Sequence, residues 1–181
     1  MNSRHKDDGE RSDHLPADPV EHDRFSIATS SVNAWRGRCV TWFARAEAAA
    51  TDLLLRLAQQ GSDTPRHFYV QRLMALECAL QTHVEGAKAT AALRRFREHD
   101  RLRTFITHGH GKVTLDRADR WQLVLTVTDL RSSVSRTVLV IDQDESELIT
   151  RRLHGDCQRL EHAFASITPP ERPCDLALRM G

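Results

Sequence analysis

The stretch RLRTFITHGHG, residues 101–111, gathers two arginines, two histidines and two glycines where a basic helical run gives way to a β-type run. Within it four residues separate Arg103 from His108, and Thr104 follows the arginine directly. Histidine titrates near neutral pH, so it can both take and give a proton. Arginine presents a planar set of donors that fits phosphate oxygens. Thr104 lies one helical turn before His108, which puts the two on one face of a helix. Arg101, seven positions before His108, shares that face and competes with Arg103 for the role of cation. A plainer role is also open to these residues. Histidine and arginine in the last turns of a helix interact well with its free carbonyls and its dipole.

More charge leads up to this stretch. Residues 88–103 carry Lys88, Arg94, Arg95, Arg97, Arg101 and Arg103 against only Glu98 and Asp100, although the net charge of the whole chain is +1. Arg94, Arg97 and Arg101 follow a three-then-four spacing and could form a stripe leading to His108. As RNA contacts they would neutralise phosphates and make binding salt-sensitive; otherwise they are the solvated face of an amphipathic helix. His110, two residues beyond His108, is expected in a loop, where it could assist phosphate binding.

The elements that must position these groups follow from hydrophobic period. Trp35, Cys39, Trp42, Phe43, Ala46, Ala50, Leu53, Leu54 and Leu57 recur mostly at spacings of three and four, which predicts a long amphipathic helix with Ser31 as N-cap and Gly61 as stop. Trp35, Trp42 and Phe43 are expected in the core or in dimer packing. A second helix is expected through FYVQRLMALECALQTHVE, with Val70, Leu73, Met74, Leu76, Leu80 and Val84 inward and Glu77 close to that face. A third runs from about Ala87 to Gly109, with Ala91, Leu93, Phe96, Leu102, Phe105 and Ile106 inward, and ends where glycine can take positive φ. KVTLD, RWQLVLTVTDL and RTVLVID then switch to period two, predicting a three-stranded antiparallel meander joined by RAD and RSSVS turns. The run DQDESEL opens the last helix, where Asp142, Asp144 and Glu145 suit the positive end of its dipole. Leu148, Ile149, Leu153, Cys157, Leu160 and Phe164 form its buried stripe.

In this setting LRTFITHG resembles the signature of the HEPN superfamily, whose motif helix carries Arg, a polar residue, a few variable residues and then His. The organisation over residues 30–166 is similar as well. The resemblance implies a mainly α fold, an HEPN-like four-helix bundle with a small antiparallel three-stranded β-meander inserted before the last helix. It implies a homodimer in which two motif helices meet to form one composite ribonuclease site that needs no metal and no cofactor. His108 would then be general base toward a 2′-hydroxyl or proton donor to the leaving 5′-oxygen. Arg103 would stabilise the transition-state charge, and Thr104 would bind phosphate or orient the histidine. The family usually has Asn or Asp where Thr104 stands, and threonine lacks the second hydrogen bond of an amide and the charge of a carboxylate. The expected function is a metal-independent endoribonuclease, a toxin or defence effector with an antitoxin or nucleotidyltransferase partner. The alternative is a catalytically inactive dimeric module that binds a protein or RNA.

The remaining features bound these expectations. Residues 1–29 read as an acidic, disordered leader, 30–168 as the domain and 169–181 as a short tail. No apolar stretch resembles an export signal or a membrane span. The four cysteines form no CxxC pair and read as reduced thiols in a cytoplasm. His154, Cys157 and Glu161 share a side of the last helix, but a fourth zinc ligand at a recognisable spacing is missing. DQDES begins like a calcium loop, yet there is no glycine at its sixth position and Leu153 stands at its twelfth. No Walker-type loop, GxSxG or Rossmann fingerprint occurs.

Overall fold

A computed structural model describes residues 19–58, 68–129 and 135–168. Its elements are α1 (Pro19–Ala58), α2 (Tyr69–Gln81), α3 (Gly86–Arg97), α4 (Asp100–His108), β1 (His110–Leu115), β2 (Trp121–Asp129), β3 (Ser135–Asp142) and α5 (Gln143–Ala165). The chain is thus mainly helical, with a small antiparallel sheet placed before the last helix.

The spine is α1. Its buried residues Ala28, Val32, Trp35, Cys39, Phe43, Ala46, Ala50 and Leu53 keep helical spacing over most of its length. The helix meets α5, α2, α4 and the strands β1 and β2. Ser31 is not an N-cap: it is an exposed residue inside the helix, which begins at Pro19 and takes in residues 19–29 of the expected leader. The apolar stripe simply continues upstream through Ala28, and proline is well suited to a first helical position because no partner exists there for its missing N–H. Residues 1–18, the Gly61 stop, most of the RSSVS turn and the expected tail lie outside the described residues.

In α2 the buried positions are Tyr69, Leu73, Leu76 and Leu80. Val70 and Met74 are exposed, and Val84 lies in the turn beyond the helix at 99% exposure. The stripe is anchored by Tyr69, which rotates the helix away from the expected face. Glu77, close to the inner face, is accounted for by two arginines of α3, described below. Gly86 opens α3, and a Cβ there would stand 1.8 Å from the Leu80 carbonyl oxygen. Only glycine lets the α2–α3 turn close this tightly.

The expected third helix is broken in two. Glu98 and His99 form a turn between α3 and α4, so the spacing of Arg94, Arg97 and Arg101 does not run along one continuous helix. Ala91 is exposed, whereas Leu93, Phe96, Phe105 and Ile106 are buried. At the end of α4, Gly109 has φ −77° rather than a positive φ. Its need for glycine is one of space, since a Cβ would lie 2.4 Å from the Phe105 carbonyl oxygen.

The sheet is a meander in the order β1-β2-β3. Val113 pairs with Leu123 and Leu123 with Ile141, while Gly111 pairs with Leu125 and Leu125 with Leu139. These residues share the inner face, and the expected alternation puts Trp121, Leu123 and Leu125 in the core. Trp35 of α1 joins the layers: its ring centroid is 6.2 Å from that of Trp121, and its Nε1 donates to the Ser146 carbonyl of α5 at 3.0 Å. Asp142 caps α5 by accepting from the Glu145 amide at 2.7 Å. Along α5, Leu153, Cys157, Leu160 and Phe164 are buried as expected, but Leu148 is half-exposed.

Candidate functional site

Helix α4 has two different faces. Phe105 and Ile106 are buried against α1 and β2, and Arg36 reaches across from α1 to the Ile106 carbonyl at 2.9 Å. Arg101, Thr104, Thr107 and His108 are exposed. At 3.6 residues per turn, His108 lies about 20° from Arg101 and about 40° from Thr104 around the axis, but about 140° from Arg103. The helix therefore groups His108 with Thr104 and Arg101, and it directs Arg103 elsewhere.

Arg103 is only 23% exposed at its side chain. Its guanidinium carbon lies 3.8 Å from the Tyr69 ring centroid, and one nitrogen lies 3.6 Å from the Glu47 carboxylate. Glu47 also accepts from Arg72, while the Tyr69 hydroxyl donates to Asp100 at 3.2 Å. This network joins α1, α2 and α4. It also leaves the Tyr69 hydroxyl buried, and burial raises its pKa above the usual range, with the Asp100 carboxylate adding to the effect. Thr104 has its own internal commitment, donating to the Asp100 carbonyl one turn back at 3.0 Å.

The other expected contacts divide in the same way. Arg94 donates to Glu77 at 2.7 Å, and Arg97 donates to the other Glu77 oxygen at 3.0 Å and lies 3.5 Å from Asp100. The hydrogen bond from Arg94, with Arg97 beside it, holds the Glu77 carboxyl below the usual range. Both arginines are thus occupied by the fold's own acids. Arg101 makes no ion pair among the described residues, and its guanidinium carbon sits 5.8 Å from the Phe105 ring centroid. His110 is not in a loop: it is the first residue of β1, exposed and paired with Thr126.

A second cluster was not anticipated from the sequence. Asp156 of α5 is 5% exposed and accepts from Arg95 at 2.7 Å, from His99 Nε2 at 2.9 Å, and from Arg159. Burial works against its charge, but the hydrogen bonds from Arg159, His99 and Arg95 outweigh it and keep the carboxyl below its ordinary range. The signal was present in the spacing. Asp156 falls on the apolar stripe between Leu153 and Leu160, and a carboxylate on such a stripe must find cations.

The residues with metal-like spacing on α5 are engaged separately. His154 stacks on Trp42 with centroids 4.2 Å apart, Cys157 donates to the Trp42 carbonyl at 3.5 Å, and Glu161 pairs with Arg45 at 2.7 Å. Among the described residues no group of three His, Cys, Asp or Glu is arranged to hold a metal ion. No helix there is long and apolar enough to cross a membrane. No family model, curated protein or solved structure matches the chain.

Proposed function

We propose that this chain is an HEPN-like endoribonuclease that cleaves RNA by metal-independent transphosphorylation from the outer face of α4. The observation that carries the reading is the grouping of Arg101, Thr104 and His108 on one exposed face at the end of that helix. His108 takes the proton of a 2′-hydroxyl, whose oxygen attacks the adjacent phosphorus, and the 5′-oxygen leaves with a proton. The products are a 2′,3′-cyclic phosphate and a 5′-hydroxyl end. One imidazole cannot be base and acid at the same moment, so His108 of a second copy supplies the departing proton, and the active form is a homodimer. Arg101, which has no carboxylate partner among the described residues, stabilises the charge on the phosphorane-like transition state. Arg103 is a positioning residue that fixes α4 against α1 and α2. A cytoplasmic toxin or defence effector, held in check by an antitoxin or nucleotidyltransferase partner, fits this activity.

The test uses purified chain, varied RNAs and EDTA, with fragments scored for 2′,3′-cyclic phosphate ends. His108→Ala is expected to abolish cleavage. Arg101→Ser is expected to lower kcat/KM by at least about a hundredfold, the loss of one charge-assisted contact in the transition state, with little change in Tm. Arg103→Ala is expected to lower Tm instead. Absence of cleavage, or equal cleavage by the His108 variant, overturns the reading.

A second reading is favoured by the state of Arg103. Because the motif arginine is taken up by Tyr69 and Glu47, the chain would then be a catalytically inactive HEPN-like dimeric module that binds a protein partner. Under that reading no RNA is cleaved, and His108→Ala changes neither Tm nor oligomeric state.

A further inference from the structure

The α3–α4 turn does more than interrupt a helix. It carries His99 to the mouth of a cleft of about 250 Å³ formed with α4, β3 and α5, whose walls are Glu98, His99, Arg101, Leu102, Leu139, Ile149 and Arg152. Its polar groups are predominantly cationic. Arg101 and Arg152 come from different helices, both are exposed, and neither has a carboxylate partner among the described residues. Arg152 differs in this from its neighbours on α5, since Arg151 pairs with Glu147 and Arg159 with Asp156. His99 is fixed from behind. Its Nε2 is held 2.9 Å from Asp156, whose side chain is 6% exposed, and Nδ1 has no partner among the described residues. Leu102, Leu139 and Ile149 are half-buried and supply an apolar wall.

We propose that this cleft binds a small phosphomonoester bearing one flat apolar group, with the phosphate on Arg101, Arg152 and His99 and the apolar body against Leu102, Leu139 and Ile149. Two guanidinium forks approaching from separate helices already offer more donors than the two oxygens of a carboxylate can use, and they match the three terminal oxygens of a phosphate. His99 Nδ1 shares in this either as an N–H donor, when the ring carries both protons, or as acceptor of a phosphate hydroxyl. The cleft is smaller than a drug-sized site, which limits the ligand to about one ring beside the phosphate. Glu98, also in the lining, disfavours a longer polyanion. The inference shares Arg101 with the proposed cleavage site but stands apart from it, because His99, Arg152, Leu139 and Ile149 have no part in that mechanism and the test below reads binding at them rather than cleavage.

The experiment is a titration of the full chain with phenyl phosphate, followed by ¹H–¹⁵N chemical shifts, with inorganic phosphate as a second probe. Saturable shifts are expected at the backbone amides of His99, Arg101, Leu139 and Arg152, and inorganic phosphate is expected to bind more weakly because it leaves the apolar wall unused. Arg152→Ser is expected to weaken phenyl phosphate by about tenfold or more, as one charge-assisted contact is lost. Ile149→Ser should narrow the difference between the two probes. Arg151→Ser, one position away on the solvent side, should bind as the parent does. Tm values confirm that each variant is folded. Absence of saturable shifts, or unchanged affinity in a folded Arg152→Ser, overturns the proposal.

Discussion

Asp156 shows how a single residue ties the last helix to the α3–α4 turn. Its carboxyl lies below the usual range because Arg159, His99 and Arg95 hydrogen-bond to it despite its burial. The unfolded chain, with an ordinary aspartate pKa of about 4, therefore binds more protons in acid than the folded one. The stabilising contribution is full above that value and is lost as pH falls through the folded pKa. Glu77, held low by Arg94 and Arg97, acts with the same sign. Asp156→Asn is expected to cost about 1–3 kcal/mol near neutral pH, less than a fully buried pair because Arg95 and Arg159 can return to water. It should also flatten the dependence of stability on pH below about 5, measured by urea unfolding across that range. An unchanged slope would show that the carboxylate is not held in its charged form. At this scale the site was only partly legible. Residue type and spacing singled out Arg103, Thr104 and His108, with Arg101 as a competitor, although the helical angles that set Arg101 rather than Arg103 beside His108 were already computable. What Arg103 does instead depends on Glu47 and Tyr69, two residues from other helices, and no local pattern announces such a meeting.

Elements were more legible than their boundaries. The meander, its inner face and the start of α5 follow directly from period-two alternation and from the acidic run Asp142, Asp144 and Glu145, because each is set by neighbours close in sequence. The start of α1 and the break between α3 and α4 are set by packing. Ala28 is an ordinary alanine until the upstream turn of α1 packs and buries it, and the basic run 94–103 reads as one helix until His99 is drawn to Asp156. Ala28→Asp is accordingly expected to destabilise by about 2–4 kcal/mol by placing a carboxylate where only 5% of the residue is exposed. If residues 19–29 were an unstructured leader, the same change would leave Tm untouched. Two glycines provide a paired test. Gly86→Ala forces a Cβ toward the Leu80 carbonyl and should cost about 2 kcal/mol or more. Gly37→Ala, inside α1 with open space around its Cβ position, should instead add about 0.5–1 kcal/mol through helix propensity.

For the whole molecule the central question is whether bundle and sheet unfold together. They share one core, since the stripe of α1 reaches both α5 and the strands, and Trp35 touches Trp121 while bonding to Ser146. Two buried cysteines report on this core from opposite sides of the α1–α5 contact. Burial pushes the Cys39 thiol up to about 12 and the Cys157 thiol up to about 11, with Glu161 adding to the second. Cys78 is exposed on α2. Because the thiolate is the reactive form, an alkylating reagent at about pH 8 should modify Cys78 in the native protein and spare the two buried residues. Peptide mass spectrometry along a urea series should then show Cys39 and Cys157 becoming reactive with one shared midpoint, matching loss of the tryptophan signal. A lower midpoint for Cys157 alone would mean that α5 separates before α1 unfolds. In that case the α4–β3–α5 cleft would open without global unfolding, and the two helices would not behave as one cooperative unit.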